Sequence, residues 1–371
     1  MMTKSFKVLL LLSLFLFILP GCSHQDKNQD IVIGVAWPFE SNNSLFREGV
    51  RLAVMQINAG GGVNGHKIRL IEKDDQASVS DGMTIAQSFA DNNEIVAVIG
   101  HRNSFISIPA SRVYQEAGLL MISPASTSPE LTKNGYKNVF RSIPSDDKIV
   151  AQLVSYAARQ GHRQMVIFYA EDSYGMDLAN SFEDHAIENG ITIVDRISYY
   201  GGLKELNRLK QKWLALGFDG VFVADSLPEG AEFIADARRV GISVPFMGGN
   251  AMDSPALYEI AGQSALGTVI GTVFNPHDPR DETQRFVKAF REQYKTMPGS
   301  YAAQGYDAVN LLAAAIEKSG STDSAAIVKE LHRLKNWPGV TGYHGFDNNG
   351  NDMAAKAVMK IQRENEFEYM K

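Results

Sequence analysis

The chain has 371 residues, 44% of them apolar and 21% charged, with a formal net charge of −6 and one cysteine. These are the proportions of an ordinary globular protein. The excess of acid argues against nucleic acid or an anionic membrane surface as the partner.

Lys4 and Lys7 precede an apolar run over residues 8–19 that only Ser13 interrupts. That run suits the core of a secretory signal, about 7–15 residues, and falls short of the ~20 a membrane-spanning helix needs. It ends in Leu19-Pro20-Gly21-Cys22, which is similar to a bacterial lipobox. Residues 1–21 are therefore expected to be a signal peptide and Cys22 the site of lipid attachment. The alternative is an ordinary cleaved signal with an incidental cysteine. Losing Lys4 and Lys7 with the leader takes the net charge from −6 to −8. Residues 23–30, SHQDKNQD, hold no large apolar side chain and read as a tether. The remaining length, about 350 residues without a second long apolar run, usually means two domains.

Strands and helices then alternate. IVIGVAW, ending in Trp37, is a β-rich run, and a helix is predicted over about 44–58, with Phe46, Val50, Val54 and Ile57 on one face. IRLIEKDD is the next strand. The helix DGMTIAQSFADN leads to strand IVAVIG, and the helix FISIPASRVYQEAG to strand LLMI. After Pro144 the rhythm restarts: a helix to Gln160, strand QMVIFYA, a helix from Tyr174, strand ITIVD, helix LKELNRLKQKWLALG, strand GVFVA, helix GAEFIADARRVG and strand VPFMGG. Near-continuous apolar strands alternating with helices argue for an α/β fold of two doubly wound units, each a parallel sheet covered on both faces.

Catalytic and cofactor signatures do not appear. Gly60, Gly62 and Gly65 have the spacing of a dinucleotide fingerprint, but a helix precedes them and a strand follows, the reverse of what pyrophosphate binding needs. A helix cap and tight turn is the better reading. Asp347, Asn349 and Asn351 alternate like the start of a calcium loop, yet Asp352 stands where glycine is required. No metal-type His-Glu pair, phosphate loop or serine-nucleophile elbow is present, so neither a cofactor nor an enzymatic activity is expected.

The segment ISPASTSPELT, residues 122–132, ends an apolar strand in five hydroxyl residues and no cation. Either it is turn chemistry, or it holds something small and polar. Ser128, in Ser-Pro-Glu, fits a helix N-cap with proline at the first helical position. Thr127 is not needed for that cap.

LAVMQINAGGGVNGHKIRLIEKDDQAS, VIGHRNSFISIPAS, LLMISPASTSPELT, SYAAQGYDAVNLLAAAI and GVTGYHGFDNNGN, in that order, resemble the type I periplasmic substrate-binding proteins of ABC transporters, branched-chain amino-acid binders above all. The resemblance implies two α/β lobes joined by three crossings near Ser142, Thr272 and Asp352. One lobe would comprise residues 31–142 with 273–351, the other 143–272 with 352–371, and the ligand would lie between them. It places ligand-carboxylate contacts on Ser104 and Thr127, an ammonium-accepting carbonyl on Ala125, and a cleft tyrosine on Tyr174. Helix starts after both first-lobe strands favour a carboxylate there. Where amino-acid binders carry an acid, this chain has Asn250, and a family tyrosine corresponds to Ser226. Either Asp225, Asp172 or Asp253 replaces the acid, or the ligand is not a plain α-amino acid; on this reading leucine, isoleucine and valine bind poorly. Arg102 either meets a second acid group or lies solvated on the rim, and Trp37 is either an apolar wall or core.

The function expected is a lipid-anchored binding protein on the periplasmic or extracellular face of a bacterial membrane, monomeric, passing a carboxylate-bearing solute to a permease. The alternative is a ligand sensor or an activator of a cell-wall enzyme on the same fold.

Overall fold

The computed structural model describes residues 30–40, 45–364 and 366–370. The signal, Cys22 and most of the tether lie outside the described residues.

The first sheet is parallel and contains β1 (Ile31–Trp37), β2 (Ile68–Asp74), β3 (Ile95–Gly100), β4 (Leu120–Ser123) and β5 (Val139–Arg141), in the order β2-β1-β3-β4-β5. Helices α1 (Phe46–Ala59), α2 (Val79–Ala90) and α3 (Ser104–Glu116) and the single turn α4 (Glu130–Lys133) connect these strands. Residues of one strand parity (Ile33, Val35, Ile99, Ile122) join a core with Val50 of α1; the other parity (Val32, Ala36, Val98, Met121) packs with Phe89 and Tyr114 of α2 and α3. Burial on both faces is why these strands read as unbroken apolar runs.

The second sheet has the order β14-β13-β10-β9-β8-β6-β7. Its parallel part is β6 (Gln164–Tyr169), β7 (Thr192–Ile197), β8 (Gly220–Ala224), β9 (Phe246–Gly248) and β10 (Val269–Thr272). Helices α5 (Asp146–Arg159) and α6 (Ser173–Glu188) cover one face; α7 (Leu203–Ala215), α8 (Glu229–Arg239) and α9 (Ala256–Ala261) cover the other.

After β10 the chain returns to the first unit through α10 (Asp281–Tyr294), α11 (Ser300–Ser319), α12 (Ser324–Arg333) and the hairpin β11 (Trp337–Pro338) and β12 (Tyr343–His344). There α11 lies against α1, so close that a Cβ on Gly49 would stand 1.9 Å from the Ala302 carbonyl oxygen. The chain then crosses once more, and β13 (Val358–Gln362) and β14 (Phe367–Tyr369) extend the second sheet antiparallel.

Two of the sequence's turn readings take definite form. Gly62, at φ +79°, turns the chain between α1 and β2, where a Cβ would meet the His66 carbonyl oxygen at 2.1 Å. The Asp347 carboxylate accepts from the amides of Asn349 and Asn351, a polar turn.

Candidate functional site

The carboxyl ends of both parallel sheets face one another across a cleft, where ligands of doubly wound folds bind. From the first unit come Ser104 at the start of α3 and the β4 loop with Ala125 and Thr127; from the second come Tyr174 at the start of α6 and Asn250 after β9. All five are buried. Ser104 Oγ accepts from the Ser128 amide at 3.4 Å, which ties the two first-unit loops together. The Tyr174 hydroxyl lies 3.5 Å from Asn250 Oδ1 and accepts from the Ala251 amide at 3.3 Å. Burial pushes the Tyr174 phenol well above its ordinary pKa, so it stays a donor.

Ser128 does two things. Its hydroxyl oxygen accepts from the Glu130 amide at 3.2 Å, the capping expected of it, and the hydroxyl donates across the cleft to the Asp177 carboxylate of α6. The two units are therefore in contact around the site.

Asp146, the first residue of α5, is a buried acid at this spot that the sequence reading did not single out. Its side chain is fully buried, and neither carboxylate oxygen, nor the Thr127 hydroxyl beside it, completes a hydrogen bond of good geometry. Burial pushes the Asp146 carboxyl up to about 7, against the opposing effects of the Thr127 hydroxyl and the Arg141 guanidinium. A buried carboxyl without a full complement of donors is costly unless something else completes it. Tyr174 is near enough for that charge to raise its own pKa. A hydroxyl, a carboxylate and a phenol thus converge from both units on one buried spot.

Arg141, at the end of β5, was also missed. It is buried, and burial lowers its pKa to about 10. Nη1 donates to the carbonyls of Thr127 at 3.0 Å and Ser128 at 2.6 Å, while Nη2 reaches Asn351. The cation thereby shapes the β4 loop rather than meeting solvent.

The other expected residues divide. Trp37 is fully buried, stacked on Phe46 at 3.6 Å and edge-on to Tyr301. Arg102 is no solvated rim residue: it is buried, with its guanidinium 5.0 Å from the Tyr301 ring centroid. It borders an outer compartment of about 580 Å³ together with Asp172, Asp225, Ser226 and Tyr200. Burial raises the Asp225 carboxyl to about 7; one of its oxygens accepts from the Ser226 amide. Asp172 caps α6 by accepting from the Gly175 amide at 2.8 Å. Asp253 cannot be the replacement acid: Lys360 pairs with it, and the hydroxyls of Thr272 and Ser300 donate to it. Among the described residues no group of three or more potential ligands could hold a metal ion, and no helix is long and apolar enough to cross a membrane.

Residues 31–364 match the family described as periplasmic binding protein. The chain belongs to that family. A relative named amino acid binding protein, from Pseudomonas aeruginosa, is 31% identical over 330 residues, covering 86% of this chain and 87% of its own. Leu/Ile/Val-binding protein homolog 1 of Brucella abortus is 29% identical, with 89% and 90% covered. Among solved structures, the chain is similar to an ABC transporter substrate-binding protein of Desulfitobacterium hafniense in complex with Leu, at 54% identity and a TM-score of 0.85, with 92% of this chain and all of that one covered. It is also similar to the branched-chain amino acid transporter substrate binding protein of Streptococcus pneumoniae in complex with isoleucine, at 26% identity and a TM-score of 0.82, with 91% and 98% covered. The two α/β units are those expected from the alternating strands and helices, and the periplasmic binding protein fold is the one that the resemblance implied.

Proposed function

We propose that this chain is an extracytoplasmic receptor that closes on an aliphatic α-amino acid, leucine foremost, and delivers it to the permease of an ABC transporter. The observation that carries this reading is the pair Thr127 and Asp146, buried and incompletely hydrogen-bonded between two units. An α-ammonium would donate to Asp146 and to the Ala125 carbonyl, while the carboxylate would accept from the Ser104 and Thr127 hydroxyls and the Thr127 amide. Tyr174 and Asn250 would meet the same end of the ligand from the second unit. The leucine and isoleucine complexes of the similar proteins support the choice of side chain. The expectation that leucine binds poorly rested on Asn250 and Ser226 where the family has an acid and a tyrosine, with no acid in replacement; in this reading Asp146 is the replacement, and the expectation is withdrawn.

In this reading the lobes are residues 31–142 with 273–351 and residues 143–272 with 352–371, the protein works as a monomer without a cofactor, and its role is binding rather than catalysis. Cys22 carries the lipid that keeps it at the membrane. Three acyl chains at about 0.8 kcal/mol per buried CH₂ would hold it there, and Cys22→Ala protein should move to the aqueous phase of a detergent partition.

The test is calorimetry of the ligand-stripped protein with the twenty amino acids. Leucine, isoleucine and valine should bind best, and Thr127→Ala should weaken every amino acid that binds. Binding of none of the twenty would sink the proposal.

A further inference from the structure

The β4 loop carries more hydroxyls than an amino acid can use, and three in and beside it bond to backbone carbonyls and to one another instead. Ser107 Oγ and Ser123 Oγ donate to the His101 carbonyl at 3.1 and 3.2 Å, and Ser126 Oγ lies 2.6 Å from Ser107 Oγ. With Ser126 donating to Ser107, the two other hydroxyls fill both lone pairs of that carbonyl. The His101 ring is itself fixed from both sides. Nδ1 is 2.7 Å from Asp75 Oδ2, and Nε2 is 3.1 Å from the Tyr114 hydroxyl. All three side chains have no exposed surface. Burial raises the Tyr114 phenol far above its ordinary pKa, so it keeps its proton, and Nδ1–H donating to Asp75 with the Tyr114 hydroxyl donating to Nε2 satisfies every partner.

These contacts join elements that the backbone leaves separate. Asp75 follows β2, His101 follows β3, Tyr114 is in the body of α3, and Ser123 and Ser126 lie at the end of β4. Ser104, three residues after His101, opens α3. We propose that Asp75, His101 and Tyr114 are positioning residues for the amino-acid site, holding the His101 carbonyl as the hub from which the serine hydroxyls set the places of Ser104 and Thr127. The proposal rests on the reading of those two residues as carboxylate contacts. A fully satisfied buried polar network rigidifies the loops that join it, so the carboxylate would meet donors already in place, and affinity gains when ordering costs are met before binding.

Tyr114→Phe deletes one hydroxyl that reaches no cleft residue and keeps the ring. Hydrogen exchange on the ligand-free protein should quicken by about tenfold over residues 101–107, the effect of losing about one buried hydrogen bond, and stay unchanged in α5. In calorimetry with leucine the variant should bind about three- to tenfold more weakly. That loss should shrink in a Ser104→Ala background and vanish when Thr127→Ala is added, because the network acts through both residues. Ser123→Ala, a smaller change at the other end of the network, should behave alike. Unchanged exchange at residues 101–107, or an equal loss of affinity with and without Ser104, would overturn the proposal. Faster exchange in a protein that binds no leucine would uphold the network's hold on the loop and refute the amino-acid reading instead.

Discussion

The Asp146 amide donates to the Thr127 carbonyl at 2.9 Å, so the residue that opens α5 in the second unit is hydrogen-bonded to the loop that ends β4 in the first. The backbone bond holds the two side chains next to one another at the point where the chain first crosses between sheets. A buried carboxyl whose donors are incomplete destabilises the protein it sits in, and it is retained where a ligand completes it.

Asp146→Asn should separate those effects. Losing a charged hydrogen bond costs about 1.5–3 kcal/mol, so leucine should bind roughly ten- to a hundredfold more weakly. Folding should respond in the opposite sense. The native carboxyl titrates near 7 and the unfolded one near its ordinary value, so the native protein loses stability as pH rises between those values. Removing the group should raise the melting temperature of the ligand-free protein at pH 8. Calorimetry and thermal unfolding of the same sample check both, and a variant that binds leucine as wild type does would remove Asp146 from the site.

The same titration predicts pH-dependent binding. Below about pH 7 the ligand's ammonium has to displace a proton from Asp146, so the Kd should rise as pH falls, by at most tenfold per unit. Asp225 is also raised to about 7, but it borders the outer compartment, so Asp225→Asn should leave the profile in place. Calorimetry at pH 6 in buffers of different ionisation enthalpy should register proton release. A Kd constant from pH 5 to 8 would contradict the assignment.

Closure has a contact of its own. Ser128 reaches Asp177 across the cleft and is not among the contacts proposed for the ligand. Ser128→Ala should speed leucine dissociation by about three- to tenfold in stopped-flow measurements and leave association nearly unchanged. A slower association with unchanged dissociation would assign Ser128 to shaping the open form.

His344 predicts how the fold responds to base. It is buried between Asp307 and Asp352; burial works to lower its pKa, but hydrogen bonds to the two carboxylates outweigh that and raise it to about 10. A raised histidine stabilises fully below its unfolded value near 6.5, and that contribution is lost as pH climbs to about 10. The melting temperature should therefore fall between pH 7 and 10. His344→Gln should be less stable at pH 6 and show a flatter slope over that window.

The layered fold was legible because its strands are buried on both faces and its helices carry one apolar stripe, patterns that need no knowledge of partners. The loops bearing Ser104 and Thr127 were legible through strand ends and a resemblance in order and spacing. Asp146 was not. In Ser145-Asp146-Asp147 it looks like an ordinary acid in a helix's first turn, and only the crossing of the chain turns it toward Thr127. Arg141 was hidden for the same reason: a cation closing a three-residue strand gives no sign that it will curl under a loop from the same sheet. Asp253 misled because Lys360, 107 residues away, claims it.

The close seat of α11 on α1 has a consequence for the order in which the molecule can be completed. A chain made from its N-terminus possesses all five strands of the first sheet by residue 141, yet the core on one face of that sheet includes Tyr301, Leu312 and Leu331. Until those residues arrive, α1 alone shields that face, with Gly49 offering a groove to nothing. The second unit, whose parallel strands and helices lie within residues 146–272, can gather its layers in the meantime. The half whose strands are synthesised first is thus the half that waits, and a chaperone that holds the nascent or translocating chain would find its apolar surface there.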